Sequence, residues 1–514
     1  MDRKIGFDFK TVPELVMKVA EMHGDKTAFI CEQDEKVESI SYKEFGQIVS
    51  QNTDYMRSTF GENQCIAIVG ENSIEWIISY FSILCSGNVA VPLEPDGSIE
   101  NTVDNLKRCG SCAVLHDELQ SGFAANVAKE FPGQLKLQLF EKLSKDKFIT
   151  EDQDSVRLGG AEIVADQTAT IIFTSGTTGR SKGVKLTHNN ICKDAQYSCE
   201  VLPLDGRTIT ILPFHHMYTI TTSIFMSLCY GTEIVICPSA KKAFKFTSTY
   251  NPTYLFAVPM ILGGLCKKIG MEAAMAKTDN YQLLKEKILG DKFVFFVSGG
   301  AILSKDLQEA LERFDITVYN GYGITECSPV VSFNRPDGTV LNSTVGTALP
   351  GVDVCIMNAD ENGEGEICVK SDIVMSGYLN DPEATKEAFF GEWFRTGDIG
   401  KLDEANRICI TGRCKNLIIL SNGKNVSPEE IEEKLQYDPM VQEIIVYEKN
   451  DSIIAAIYPV ESEASVNHKA YFEDLVKSYN AKAPLYKKIS RVEVVDQPFA
   501  RTSTGKIKRN NFNA

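Results

Sequence analysis

Short runs of apolar β-formers alternate with amphipathic stretches along most of the chain. CIAIVG (65–70), ATIIFT (169–174), TITIL (208–212), TEIVIC (232–237), TYLFAV (253–258) and KFVFFVSGG (292–300) read as buried strands. Between them lie segments such as SKDLQEALERF (304–314), whose apolar residues recur at helical spacing. Strand–helix alternation predicts an α/β fold, with parallel-rich sheets covered by helices. From about residue 345 the pattern shortens to GVDVCIM, GEICVK and RICITG, separated by turn residues, which predicts a small antiparallel β subdomain. Near the C-terminus, a helix at Ser427–Leu435, the strands VQEIIVYE and SIIAAIYP, and a helix near 467–480 predict a compact α+β unit. The expected organisation is a large N-terminal domain, residues 1–412, and a small mobile C-terminal domain, residues 413–514.

Two stretches are apolar enough to raise a membrane reading, Trp76–Leu93 and Ile209–Cys237. The first is broken by Ser, Gly87 and Asn88, and the second carries two His and Glu233, so both are expected as a buried helix running into a buried strand. The opening MDRKIGFDFKTVPELV lacks the apolar core of a secretory leader.

Composition changes this picture little. A chain of 514 residues exceeds one hydrophobic core, so at least two domains are expected. A net charge of −16 argues against a nucleic-acid partner, which needs a basic face. Fifteen scattered cysteines, mostly in apolar runs, point to reduced thiols and a cytoplasmic setting. Cys109-Gly-Ser-Cys112 has redox spacing but is read as structural.

The chemistry concentrates in TATIIFTSGTTGRSKGVKLTH (168–188). Gly176, Gly179 and Gly183 let the backbone curl and aim N–H groups inward, Thr174, Ser175, Thr177, Thr178 and Ser181 add hydroxyls, and Arg180 and Lys182 add positive charge. Such a set suits a polyphosphate. It is not the P-loop: Lys182 is followed by Gly183, and Gly183–Thr187 alternates like a strand, so the helix starts only after a cap at Thr187 or Asn189. A phosphate loop between two strands is expected instead.

Four further motifs follow: Asn320-Gly-Tyr-Gly-Ile-Thr-Glu326, Trp393-Phe-Arg-Thr-Gly-Asp-Ile399, Gly412-Arg-Cys-Lys-Asn-Leu-Ile418 and Arg501-Thr-Ser-Thr-Gly-Lys506. Taken together and in this order, they resemble the adenylate-forming superfamily of acyl-CoA synthetases, luciferases and peptide-synthetase adenylation domains, over nearly the whole chain.

That resemblance implies ATP, Mg²⁺ and coenzyme A as cofactors. Thr174, Ser175, Gly176, Thr177, Thr178 and Lys182 would line the loop over the ATP phosphates. Gly299, Gly300 and Ala301 would form the backbone wall beside adenine. In the Asn320-Gly321-Tyr322-Gly323 segment, Tyr322 would stack on the base. Thr325 would bind the α-phosphate and Glu326 would hold Mg²⁺. Asp398 would accept the ribose hydroxyls, with Arg413 adding a cation nearby. His216, in Leu212-Pro-Phe-His-His-Met-Tyr218, would lie beside the acyl carboxylate, whereas His215 reads as structural. Lys415 would be a hinge, Lys506 would serve adenylation, and Gly423 would let pantetheine pass in thioester formation. Many relatives carry a Lys near Ile419, which leaves open what assists the thiol here.

The candidate acyl-pocket segments MYTITTSIFMSLCYG (217–231) and FAVPMI (256–261) carry no charge, so a free ammonium would be costly there and an apolar acid is expected. LSNGKNVSPEEIE (420–432) and TSTGKIKR look similar to long-chain fatty acyl-CoA synthetases. An aryl acid, a carrier-protein phosphopantetheine as acceptor, and a non-enzymatic nucleotide or acyl sensor remain alternatives.

Overall fold

The structure is a computed structural model that describes residues 6–33, 36–95, 97–143, 158, 162–174, 180–301, 303–336, 344–420, 425–436, 438–450, 452–460, 467–500, 507 and 509. The chain divides into two compact units, one of residues 1–353 and 369–394, the other of residues 354–368 and 395–514.

The first unit is built on two sheets. One has nine described strands in the order Thr347–Ala348, Val330–Phe333, Thr317–Gly323, Phe295–Ser298, Tyr254–Ala257, Arg207–Thr210, Glu233–Ile236, Thr27–Gln33 and Lys36–Ser41. Its central pairs are parallel and its margins antiparallel. Every residue of Tyr254–Ala257 and Phe295–Ser298 is buried. Burial on both faces is what a parallel sheet between helical layers requires, and it explains why these strands read as unbroken apolar runs.

The second sheet runs Gly377–Tyr378, Lys182–Thr187, Thr168–Thr174, Val89–Pro92, Cys65–Val69, Ala113–His116 and Lys136–Leu139. Four of its pairs are parallel, and two antiparallel pairs close one side. The apolar stretch from Trp76 is the helix Ile74–Cys85, started by the Ser73 hydroxyl, which accepts from Trp76 N at 3.1 Å. Eleven of its twelve residues are buried, as expected of a core helix.

In the second unit Trp393–Leu402 pairs antiparallel with Ile408–Arg413. Beyond them, the sheet Val441–Lys449, Ser452–Pro459 and Arg491–Val494 carries the helices Pro428–Leu435 and His468–Lys482. Ile431, Ile444, Val446, Ile457 and Phe472 share its core.

Candidate active site

Thr168–Thr174 and Lys182–Thr187 pair antiparallel, with Thr174 opposite Lys182. The residues between them therefore connect two paired strands. The helix starts afterwards at His188, where the Thr187 hydroxyl accepts from Asn190 N and the Asn190 side chain accepts from Thr187 N. Thr174 Oγ1 donates to the Lys182 carbonyl at 3.4 Å. Ser175, Gly176, Thr177 and Thr178 lie outside the described residues. Arg180 departs from the expectation that it would add charge for a polyphosphate. Its guanidinium is engaged bidentately by Asp104, at 2.6 and 2.9 Å. Arg108 donates to the Ser181 carbonyl at 2.6 Å. The base of the loop is thus clamped to the helix Ile99–Cys109.

Lys182 leads to a residue that the sequence motifs did not single out. Gly377–Tyr378 adds antiparallel to Lys182–Thr187, with Tyr378 opposite Val184. This brings the Lys182 ammonium to 4.3 Å from the centre of the Tyr378 ring. On its far side, Tyr378 Oη donates to Glu326 Oε1 at 3.0 Å. Burial, and then the negative charge of Glu326, push the Tyr378 phenol far above its ordinary range, so it stays a donor. Glu326 sits in the single turn Thr325–Cys327, and its carbonyl accepts from Met375 N at 2.8 Å. Asn190 steadies that neighbour by donating to the carbonyls of Asp372 and Val374 at 2.7 and 2.9 Å. The signal available in the sequence was an aromatic beside a glycine, Gly377-Tyr378, as in Gly321-Tyr322.

The strand Thr317–Gly323 changes partner midway. It runs parallel to Phe295–Ser298 as far as Asn320, opposite Ser298, and antiparallel to Val330–Phe333 from Gly321 onward. The Asn-Gly-Tyr-Gly motif therefore lies where this strand exchanges a parallel neighbour for an antiparallel one. Its glycines answer to packing. A Cβ on Gly321 would meet the Phe333 ring at 2.6 Å, and one on Gly323 would meet the Pro329 carbonyl at 2.1 Å. Tyr322 is buried between them. Next door, a Cβ on Gly299 would meet the Tyr218 ring at 2.8 Å, and Gly300 has a φ of +77°. Ala301 follows on the surface.

Two polar atoms at these strand ends, Ser298 Oγ and Asn320 Oδ1, are buried with no hydrogen-bond partner among the described residues. Leaving such a group unpaired costs about 1–3 kcal/mol. A ligand with polar edges, such as a purine, fits that vacancy in hydrogen bonding.

His216 lies in the turn after Arg207–Thr210, its ring centre 4.1 Å from that of His215. Burial, and then the charge of His216, hold the His215 imidazole down at about 3, so it is neutral. The segment that follows, Thr219–Met226, is the buried helix expected here, of the π type, with all eight residues buried and none charged. Such wide turns are uncommon and recur at functional sites. Thr221 Oγ1 donates to the Ser328 carbonyl at 2.7 Å, tying this wall to the chain just after Glu326.

In the second unit, Asp398 on Trp393–Leu402 faces Arg413 on Ile408–Arg413, and Arg413 Nε is 2.8 Å from Asp398 Oδ1. Lys415 sits in the turn Cys414–Asn416, next to Asn416, whose amide is hydrogen-bonded to Glu429. Gly423 and Lys506 lie outside the described residues. Phe499 N donates to Glu443 Oε2 at 2.7 Å, Ile507 packs against the cluster of Ile445, Tyr447 and Phe499, and Arg509 pairs with Glu432.

The clamped base of the loop and the two unpaired polar atoms at the strand ends both lie in the first unit. Comparison with known proteins identifies the class. Residues 16–379 match the AMP-binding enzymes and residues 415–514 match the AMP-binding enzyme C-terminal domain. The chain belongs to this family, the adenylate-forming ligases. Its relatives include a chloroplastic long-chain-fatty-acid–[acyl-carrier-protein] ligase of Arabidopsis thaliana, 24% identical over 98% of this chain and 85% of the relative. A long-chain-fatty-acid–CoA ligase of Mycobacterium tuberculosis is 28% identical over 91% of both chains. Among solved structures, O-succinylbenzoate coenzyme A synthetase from Bacillus subtilis, in complex with ATP and magnesium ion, has the same fold with a TM-score of 0.78. It is 23% identical, over 97% of this chain and 98% of that one.

Proposed function

We propose that this protein activates an apolar carboxylic acid, of the medium- or long-chain fatty class, with ATP and passes the acyl group to the thiol of coenzyme A. In the first half, a carboxylate oxygen attacks the α-phosphorus of ATP, and pyrophosphate leaves. In the second, the thiol attacks the acyl carbon, and AMP leaves. The observation that carries the reading is the contiguous set Lys182, Tyr378 and Glu326, a cation and a carboxylate joined through one buried phenol.

Displacement at phosphorus between two anions depends on charge neutralisation and alignment rather than on a protein nucleophile. Lys182, held over the Tyr378 face, supplies positive charge at the phosphate loop. Glu326 offers a hard oxygen donor to Mg²⁺, an ion that is typically held by one or two carboxylates together with substrate phosphates. That ion supplies charge neutralisation at the phosphates when bound. The reading assigns it to Glu326. Ser298 and Asn320 take the polar edge of adenine and Tyr322 its face. Thr325 holds the α-phosphate, and Asp398 with Arg413 holds ribose. Lys506 of the C-terminal domain, residues 413–514, serves the first half-reaction, and the 420–426 segment with Gly423 serves the second.

Support for an apolar acid comes from the wall Thr219–Met226, buried and uncharged throughout. His216 is assigned to the acyl carboxylate. The Arabidopsis relative favours a second acceptor, the phosphopantetheine of a carrier protein. Pyrophosphate release across fatty, aryl and amino acids, followed by thioester yield with coenzyme A or a phosphopantetheinylated carrier protein, tests both points. Faster exchange with a free amino acid than with any fatty acid would overturn the substrate reading.

A further inference from the structure

Glu326 sits in a short loop, residues 324–329, closed at its base where Ile324 N donates to the Pro329 carbonyl at 2.8 Å. Two backbone segments border it. One is 328–330, just after Glu326 in the chain. The other is 372–375, whose last residue, Met375, donates its N–H to the Glu326 carbonyl at 2.8 Å. Ser328 Oγ joins the two by donating to the Ile373 carbonyl at 2.8 Å.

Both segments are held by one face of one helix. On His188–Cys199, Asn190 and Asp194 are four residues apart and so lie on the same side. Asn190 donates to the carbonyls of Asp372 and Val374, at 2.7 and 2.9 Å. Asp194 Oδ2 accepts from Val330 N at 3.1 Å. Asp194 is fully buried, and its Oδ1 has no hydrogen-bond partner among the described residues. A carboxyl kept in such a place costs stability relative to an apolar residue, and departures of this kind concentrate at functional sites. The helix also continues directly from the strand Lys182–Thr187. One strand–helix unit therefore presents the Lys182 ammonium and fixes the loop that carries Glu326, and Tyr378 spans the gap between the two groups.

We propose that Asp194 is a positioning residue: by holding Val330 N it sets the reach from Glu326 to Lys182, and so governs the binding of Mg·ATP. Its acceptor oxygen is the part that matters. Burial pushes the Asp194 carboxyl far above its ordinary range, so it is neutral and an Asn amide is its near isostere. Asp194→Asn keeps an oxygen to accept from Val330 N, whereas Asp194→Leu removes it at similar volume. Without the acceptor, the stem of the 324–329 loop is held on one side only, through Ser328 and its ties to Ile373 and Thr221. The effect on ATP rests on the function proposed above; the anchoring of the loop does not.

Binding of a non-hydrolysable ATP analogue with Mg²⁺, measured by calorimetry on the full chain, is expected to weaken on the order of tenfold in Asp194→Leu, as for loss of one buried hydrogen bond, and to recover in Asp194→Asn. Hydrogen exchange mapped by mass spectrometry should speed up across 324–330 in Asp194→Leu and stay slow in Asp194→Asn. In pyrophosphate release the KM for ATP should follow the binding result, whereas a merely structural loss of folded protein lowers kcat and leaves the KM unchanged. Lower kcat alone, or an Asn variant as impaired as the Leu variant, overturns the positioning role. Faster exchange with unchanged affinity refutes the coupling to ATP. If Asp194→Leu fails to fold by circular dichroism, Asp194→Ala takes its place with the same expected results, and rapid exchange of the Val330 amide in the wild-type chain refutes the anchor whatever the variants do. Absence of both analogue binding and pyrophosphate release in the wild-type chain refutes the proposed function and leaves the exchange at 324–330 to decide the anchor.

Discussion

Removing one oxygen atom from Tyr378 isolates the contact between the lysine and the carboxylate of the candidate site. Tyr378→Phe keeps a ring beneath Lys182, whose ammonium lies 4.3 Å from the ring centre, and deletes the hydrogen bond to Glu326 Oε1 at 3.0 Å. A hydrogen bond to a charged acceptor contributes about 1.5–3 kcal/mol. Glu326 is only partly buried, so the lower end applies. About 1.5 kcal/mol corresponds to roughly a tenfold loss in kcat/KM for ATP. Because the lost donor orients the proposed Mg²⁺ ligand, the half-saturating Mg²⁺ concentration is expected to rise as well. Pyrophosphate release at varied Mg²⁺ and ATP reads both quantities, with thermal unfolding as the control for folding. A double-mutant cycle with Glu326→Gln sharpens the test, since two residues acting through one bond are non-additive. An unchanged Mg²⁺ titration in Tyr378→Phe, or full additivity with Glu326→Gln, would refute the reasoning.

Glu326→Gln alone is expected to lower turnover by a factor on the order of 10² and to weaken metal dependence, as for loss of one transition-state electrostatic contact; normal turnover with an unchanged Mg²⁺ response would remove Glu326 from the metal site. Lys506→Ala is expected to abolish acyl-AMP formation yet still convert supplied acyl-AMP and coenzyme A to thioester. Lys415→Pro should do the reverse, because proline fixes φ at the proposed hinge and restricts Cys414; equal damage to both half-reactions by Lys506→Ala in a folded protein would defeat that division of labour. Burial lowers the His188 imidazole from 6.5 to about 4, so between these values the unfolded chain binds a proton that the folded one excludes. Stability should therefore fall as pH drops through that window, by roughly 3 kcal/mol, and urea unfolding at pH 7 and pH 4.5 should show a smaller drop for His188→Gln.

The pattern of the chain determined a good deal by itself. The runs TYLFAV and KFVFFVSGG read as buried strands, and their central residues Tyr254–Ala257 and Phe295–Ser298 form fully buried parallel strands. The period-two stretch after Lys182 excluded a P-loop, because a strand cannot offer a helix N-terminus to phosphate, and the structure pairs it antiparallel with Thr168–Thr174. Composition and turn chemistry are local, so they survive translation into structure. What the tertiary structure decided was pairing at long range. Tyr378 was one aromatic among many until a two-residue strand placed it between Lys182 and Glu326. Arg180 counted toward the phosphate loop until Asp104 took its guanidinium. The close packing at Gly321 and Gly323 likewise depends on Phe333 and Pro329, which approach because the strand Thr317–Gly323 changes neighbours at Asn320. Spacing along the chain records which face a residue presents, whereas its contact across the fold depends on sheet order and register, which no local pattern encodes.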